Sequence, residues 1–403
     1  MHQPNFLRRW AAPVLIALVL TGFHSVTQGG GGFSNDSYRY TRASLQLLGM
    51  ERAEAQLAAR DAYCDAQPAP NRAACLKANP HGLLPDHPRY ERIFDTRPGY
   101  PLLAAPFIAA FGVLKGLWLL SLALTTTLGV LVYRLLRIAG TPRYAALAGQ
   151  VVALMGGLGY WGARHLADTL VAPCVVACAI GAVHVLEGRR RAGWTWLVAG
   201  LAAVGLAKYS TAMLLTVCLA AVAGAYAWRV RHQVTLYRRA LALLGGSAGA
   251  ALVVNVTTAA LGLPGLSESM QDTLTRYFTR PDVPDPVRGM LALEAGYWPS
   301  WLHLNAGFAV LLAVCCFALW RGRPVLAVPG IAVGLTGIGT AVAHPLLEEL
   351  DRLWVLAWLP VALGVPLLVE TVRGWGVAVV PPARRGERES GQVAAQSAEL
   401  GQP

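Results

Sequence analysis

The chain has 403 residues, enough for two or three soluble domains by length alone. Only 14% are charged, against roughly 25% in soluble domains, and 55% are hydrophobic, which excludes a soluble fold and disorder for most of the chain. Seven Cys are too few for a disulfide scaffold, and the net charge of +12 resides in arginines clustered between apolar runs, where they set membrane topology rather than bind nucleic acid. The composition predicts an all-α fold, a polytopic bundle of transmembrane helices. No P-loop, zinc-ligand spacing or GxGxxG after a strand is present, and no nucleic-acid partner is expected.

A helix crosses the bilayer with about 20 apolar residues. Ten runs meet or approach that length: 10–27, 117–133, 144–162, 169–186, 194–207, 210–228, 240–261, 300–320, 325–343 and 353–370. The first follows Arg8 and Arg9 and has no clear A-x-A cleavage site, so it is expected to be an uncleaved anchor.

A long loop, 28–98, comes next and opens on a four-Gly run before Asp36. Leu45, Leu47, Leu48 and Leu57 predict an amphipathic helix along 37–60. Asp36, Ser34 or Asn35 is suited to cap it, and a carboxylate there can equally face a reacting hydroxyl. Cys64 and Cys75, in CDAQPAPNRAAC, are read as a disulfide in an oxidising compartment, with two unpaired thiols as the alternative. Residues 99–114, YPLLAAPFIAAFGVLK, are too short and Pro-rich to span, and predict a membrane-dipping or interfacial segment.

Further along, Arg164 and Asp168 are spaced i, i+4 in YWGARHLADTL and share a face if the helix begins before Arg164. Lys208 divides the run 194–228 into two short halves. Arg189, Arg190 and Arg191 precede that run, and Arg229, Arg231, Arg238 and Arg239 follow it, so an even number of spans is expected between the two clusters. A second long loop, 262–299, carries Arg276, Tyr277, Arg280 and Arg288. In HPLLEELDRLW, Glu348, Glu349 and Asp351 read as a solvated turn and Arg352 starts the last span. The polar tail, 371–403, is expected to be disordered.

Eighteen Lys/Arg then lie on one side, against Arg164, Lys208 and Arg352 in the short turns of the other. The positive side is cytoplasmic. This predicts a multi-pass cell-membrane protein with both termini cytoplasmic and both long loops outside. Asp36, Arg164, Asp168, Lys208 and Arg352 all fall at outer helix ends, whereas the span centres carry almost no charge. Lys208 sits against the topology bias, which favours a phosphate partner over simple snorkelling to headgroups. Tyr38, Tyr40, Trp161, Tyr209, Trp298 and Trp301 fit an interfacial aromatic belt or a sugar platform.

This order of parts resembles the GT-C class of polytopic glycosyltransferases, in particular the bacterial relatives of protein O-mannosyltransferases and the aminoarabinose transferase. The matching stretches are FSNDSYRY after the first span, FDTRPGYPLLAAPFIAAFG at the reentry, ARHLADTLVAP, EGRRRAGWTWLVAGLAAVGLAKYSTAMLL and DRLWVLAWLP. The chain has one acid at the start of its first loop, where the protein mannosyltransferases have two, and no C-terminal extramembrane domain. The resemblance implies sugar transfer from a polyprenyl-phosphate donor to an extracytoplasmic acceptor: an envelope lipid, glycan or protein. Asp36 takes the place of the catalytic base, and Lys208 and Arg352 the donor phosphate. Arg164, Asp168 and Tyr38 fall to the donor or substrate side. The resemblance names no definite cofactor; a divalent metal on Asp168 is the alternative role for that residue. Two other readings compete: a transporter or flippase of lipid-linked glycan, with Asn255, Thr257 and Thr258 as its polar groups, and a non-catalytic partner in envelope assembly.

Overall fold

The structure, a computed structural model, describes residues 6–27, 32–67, 71–84, 87–349 and 351–378, with side chains from 10 to 370. Every regular element among the described residues is helical. In chain order they are α1 (Phe6–Thr27), α2 (Asn35–Leu47), α3 (Arg52–Asp65), α4 (Arg72–Ala78), α5 (Pro88–Asp95), α6 (Gly99–Phe111), α7 (Val113–Ile138), α8 (Arg143–Met155) and α9 (Gly157–Gly162). There follow α10 (Ala167–Leu186), α11 (Arg190–Arg229), α12 (Val234–Ala260), α13 (Leu266–Leu274), α14 (Pro286–Gly322) and α15 (Pro324–Ala343). Two 3-10 turns, Leu347–Glu349 and Val355–Ala357, lead into α16 (Trp358–Ala378). Seven of these, α1, α7, α10, α11, α12, α14 and α15, are long and apolar enough to cross a membrane. A helix satisfies its own backbone in lipid, so this composition settles into a helical membrane protein.

The helices differ in how much of their surface the protein covers. In α10, 89% of the apolar window is buried, against 17% in α12 and 11% in α14. Thus α10 is the central helix, and α12 and α14 present apolar side chains outward. Small residues let α11 approach α10 closely. A Cβ on Gly181 would lie 2.6 Å from the Leu197 backbone nitrogen, and one on Gly200 would lie 2.6 Å from Cys178 Sγ. Without a hydrophobic force between helices in lipid, such close backbone packing is what holds a pair together.

The helix α11 breaks at Lys208, whose φ of −164° and ψ of 85° are not helical. Trp194, from the first half, lies on Gly246 of α12, and Gly224, from the second half, faces Leu244 of the same helix. Both halves therefore flank one stretch of α12, and the chain doubles back at Lys208. A second break falls at Asn305 in α14.

The long segments are more regular than the sequence suggests. The single amphipathic helix expected over 37–60 is two helices, because Gly49 at φ 93° ends α2. Of its apolar markers only Leu45 is buried; Leu47, Leu48 and Leu57 are exposed. Cys64 and Cys75 form a disulfide that joins α3 to α4, with the Cα atoms 5.6 Å apart. Inside this cap Glu91 of α5 accepts from Arg39 Nε at 2.7 Å and from Arg42 Nη2, and all three residues are buried. The segment expected as loop over 262–299 contains α13 and the first turns of α14, since Pro286 favours a helix start and the Asp285 side chain accepts from Arg288 N. Arg89 joins the two long segments through Glu268 (2.7 Å) and Asp282 (2.8 Å). The expected tail begins as helix, since α16 runs to Ala378, and 379–403 lies outside the described residues, as do Gln28, Gly29, Gly30 and Gly31 of the Gly-rich turn.

Candidate functional site

Asp36 occupies the first turn of α2. The cap of that helix is Ser34, whose hydroxyl accepts from Ser37 N at 3.3 Å while its own N–H donates to Ser37 Oγ at 3.0 Å. This reciprocal capping box leaves the Asp36 carboxylate free for other partners. It pairs with Arg352 Nη2, and both side chains are about 15% exposed. Asp168 lies in the first turn of α10. Its Oδ1 accepts from Lys208 Nζ at 3.1 Å and its Oδ2 from Arg352 Nε at 3.0 Å. Arg352 also donates through Nη1 to Glu349 Oε2 at 3.1 Å.

Each position has a local cause. The break in α11 puts the Lys208 amine at the point where the chain reverses. The irregular stretch between the two 3-10 turns carries Arg352 and gives its guanidinium three acidic partners. Four segments far apart in sequence thus meet within ion-pair distance. Burial alone would raise the Asp36 carboxyl, but the Arg352 guanidinium, with Arg97 nearby, outweighs it and holds Asp36 below the usual carboxylate range. Asp36 is therefore ionised at neutral pH.

A cavity opens beside this cluster. Asp168, Lys208 and Arg352 line its polar end; Val171, Leu353, Val355 and Leu356 form apolar walls, with Thr211 and Thr340 between. The cavity is small, about 20 Å³, which is room for roughly one water beside the ion pairs. The arrangement can also exchange partners: an anion entering between Lys208 and Arg352 competes with two carboxylates for the same cations.

Other expected residues lie elsewhere. Arg164 does not pair with Asp168, because α10 begins at Ala167 and leaves Arg164 before the helix. Its guanidinium stacks over Trp161 at 4.5 Å, and Nη2 donates to the Tyr160 hydroxyl at 2.6 Å. Tyr38, two residues beyond Asp36, is buried with its hydroxyl against Gly82, inside the cap. Trp161 is buried, and its indole N–H donates to Asp351 Oδ1 at 2.7 Å. Glu349 and Asp351 are therefore partnered rather than a simply solvated turn. Asn255 and Thr257 sit on the exposed face of α12, outside any internal polar path.

Several residues around the cluster carried no strong signal in the sequence. Arg97, just before α6, places its charge near both Asp36 and Asp272. Asp272, on α13, is buried with Oδ1 lacking a hydrogen-bond partner among the described residues. Burial pushes its carboxyl up to about 7. His344, just after α15, is bonded by Thr273 (2.7 Å) and Ser269 (3.2 Å), and burial lowers it to about 3, so the ring is neutral. Tyr277 donates to Glu349 Oε1 at 3.4 Å from a left-handed run, Arg276–Tyr277–Phe278, with φ of 50°, 63° and 59°. Three consecutive non-Gly residues in that region store strain, which concentrates at functional sites.

A metal fits this site poorly. Among the described residues no group of three His, Cys, Asp or Glu converges as a ligand set, and both Asp168 oxygens already face cations. No protein-family model matches the sequence, and no curated protein matches it either. The fold and the cluster define a helical membrane protein with a partly buried ion-pair network at one end of its central helix.

Proposed function

We propose that this chain is a membrane glycosyltransferase of the GT-C kind, moving a sugar from a polyprenyl-phosphate carrier to a hydroxyl on an extracytoplasmic envelope acceptor. The supporting observation is the convergence of two carboxylates, Asp36 and Asp168, with two cations, Lys208 and Arg352, at one end of the central helix. Ten spans accompany this reading: the seven long helices, with α11 counted as two at Lys208, plus α8 with α9, and α16. Both termini are then cytoplasmic and the cluster faces outward.

In this reading each member of the cluster takes one part in a displacement at the anomeric carbon. The donor phosphate takes Lys208 and Arg352 as its counter-charges, displacing Asp36 from Arg352. The freed carboxylate accepts the proton of the acceptor hydroxyl as that oxygen bonds to the anomeric carbon. The bond from that carbon to the phosphate oxygen breaks, and its electron pair leaves with the polyprenyl phosphate, whose charge the two cations stabilise. Asp168 holds Lys208 and Arg352 in register from below.

The test is sugar transfer from polyprenyl-phosphate donors in membranes bearing Asp36→Asn. Transfer is lost while insertion and yield persist. Retained transfer would remove Asp36 as the base.

A further inference from the structure

At the end of α10 opposite the acid–base cluster, a cavity of about 260 Å³ is lined by Gly188, Arg190, Val234, Thr235, Arg238 and Arg239. This is far more room than the roughly 30 Å³ of one water. Thr235, Arg238 and Arg239 share one face of α12 by their spacing, and Arg190 faces them from the start of α11. Arg239 is held in place: Nη1 donates to the Leu186 carbonyl at 3.2 Å, the end of α10. Its guanidinium lies flat against Gly188, where a Cβ would sit 2.6 Å from Nη2, and Gly188 has φ 91°. Only glycine provides both that conformation and that space.

These cations lack an acidic counterpart. Among the described residues, Arg190 and Arg238 form no ion pair, and Glu187 in the same turn is engaged by Arg189 at 3.6 Å. The cavity also opens beside exposed apolar surface. Val234 and Leu241 of α12 are 61% and 39% exposed, and Trp228 is 72% exposed with the Arg231 guanidinium 4.3 Å from its ring centroid. An exposed Trp with an Arg at a helix end marks the membrane–water interface. Uncompensated arginines in a pocket at that depth select a headgroup with net negative charge.

We propose that this cavity binds the phosphodiester headgroup of an anionic glycerophospholipid, whose acyl chains lie along the exposed face of α12. Arg190 and Arg238 supply charge and hydrogen bonds to the phosphate oxygens, Thr235 a hydroxyl donor, and Arg239 the fixed wall. The site is independent of the transferase reading, because it shares no residue with the Asp36–Arg352 cluster.

The test uses the full chain in phosphatidylcholine nanodiscs containing a minor fraction of phosphatidylglycerol, with lipid retention read by native mass spectrometry. Arg190→Gln/Arg238→Gln lowers phosphatidylglycerol retention at least about tenfold and leaves phosphatidylcholine unchanged. Arg231→Gln/Arg321→Gln, which removes the same charge from the same end, changes retention by less than about twofold. If the first pair fails to fold, Arg238→Gln alone, at an exposed position, reports the loss. Equal loss in both pairs would mean a diffuse surface potential and overturn the site, as would no loss in either. Displacement of the lipid from the wild type by millimolar inorganic phosphate would make free phosphate the ligand and overturn the lipid assignment.

Discussion

Arg352 and Asp36 lie 316 residues apart in the chain and form an ion pair that is mostly shielded from solvent. Arg352 is the hub of its cluster, since Asp168 and Glu349 bond to the same guanidinium. Removing one partner of a buried ion pair leaves uncompensated charge, which is more damaging than never having the pair. Arg352→Gln should therefore destabilise the protein by about 3 kcal/mol, and adding Asp36→Asn should recover part of that loss. A double-mutant cycle by denaturation in detergent checks this. Strict additivity would show that the two residues do not interact.

The Arg39–Glu91–Arg42 triad makes a parallel case within the cap. Glu91→Gln removes the carboxylate that Arg39 and Arg42 share and leaves Arg42 its longer contact to Asp95 at 3.8 Å, so it should cost about 3 kcal/mol in cap stability. Hydrogen exchange should show α2 and α5 losing protection, while α10 and α11 keep theirs.

The disulfide closes the stretch between Cys64 and Cys75, which are 11 residues apart. By chain-entropy reasoning, such a loop gains about 3 kcal/mol from the cross-link. Cys75→Ser, or mild reduction, should speed tryptic cleavage at the exposed Arg72 and leave the helical bundle intact. If the cap faces outward, a membrane-impermeant maleimide should label both thiols in intact cells only after reduction.

Asp272 sets a pH dependence opposite to that of most carboxylates. Its folded value, about 7, lies above the ordinary 3.8 because burial penalises the charge, with Arg97 opposing and Asp36 and Glu268 reinforcing. The folded state therefore binds the proton more tightly than the unfolded chain. The contribution is fully present below pH about 3.8 and is lost as pH rises through about 7. Thermal stability should fall between pH about 4 and about 7, and Asp272→Asn should flatten that slope. The same fall in the variant would assign the dependence to another group.

Much of this arrangement was legible in the sequence, for specific reasons. Charge asymmetry singled out Arg164, Lys208 and Arg352 as cations on the arginine-poor side; Lys208 and Arg352 lie in the cluster, and Arg164 packs on Tyr160 and Trp161 instead. Lys208 between two short apolar halves also marked the break in α11. Asp36 was harder, since a residue at a helix start serves equally as a cap; the Ser34–Ser37 box removes that ambiguity. The Arg164–Asp168 pairing depended on where α10 begins, and helix boundaries are the weakest part of any reading from pattern. Glu349 stood out beside Arg352 but read as part of a solvated turn, whereas Arg97 and Asp272 lie in polar segments with no periodicity, so only tertiary packing reveals them beside the cluster. Buried Arg39 and Arg42 run against composition, because charged residues on a short amphipathic helix ordinarily face water.

The transferase account turns on competition between Asp36 and a lipid phosphate for Arg352. Binding of a long-chain polyprenyl phosphate to the purified full-length protein, compared between wild type and Asp36→Asn, tests it most directly. Because the variant removes the competing carboxylate and keeps both cations, it should bind the lipid phosphate more tightly while transferring no sugar; Lys208→Met should bind it more weakly. Unchanged binding in both variants, or undiminished transfer by Asp36→Asn, would contradict the account.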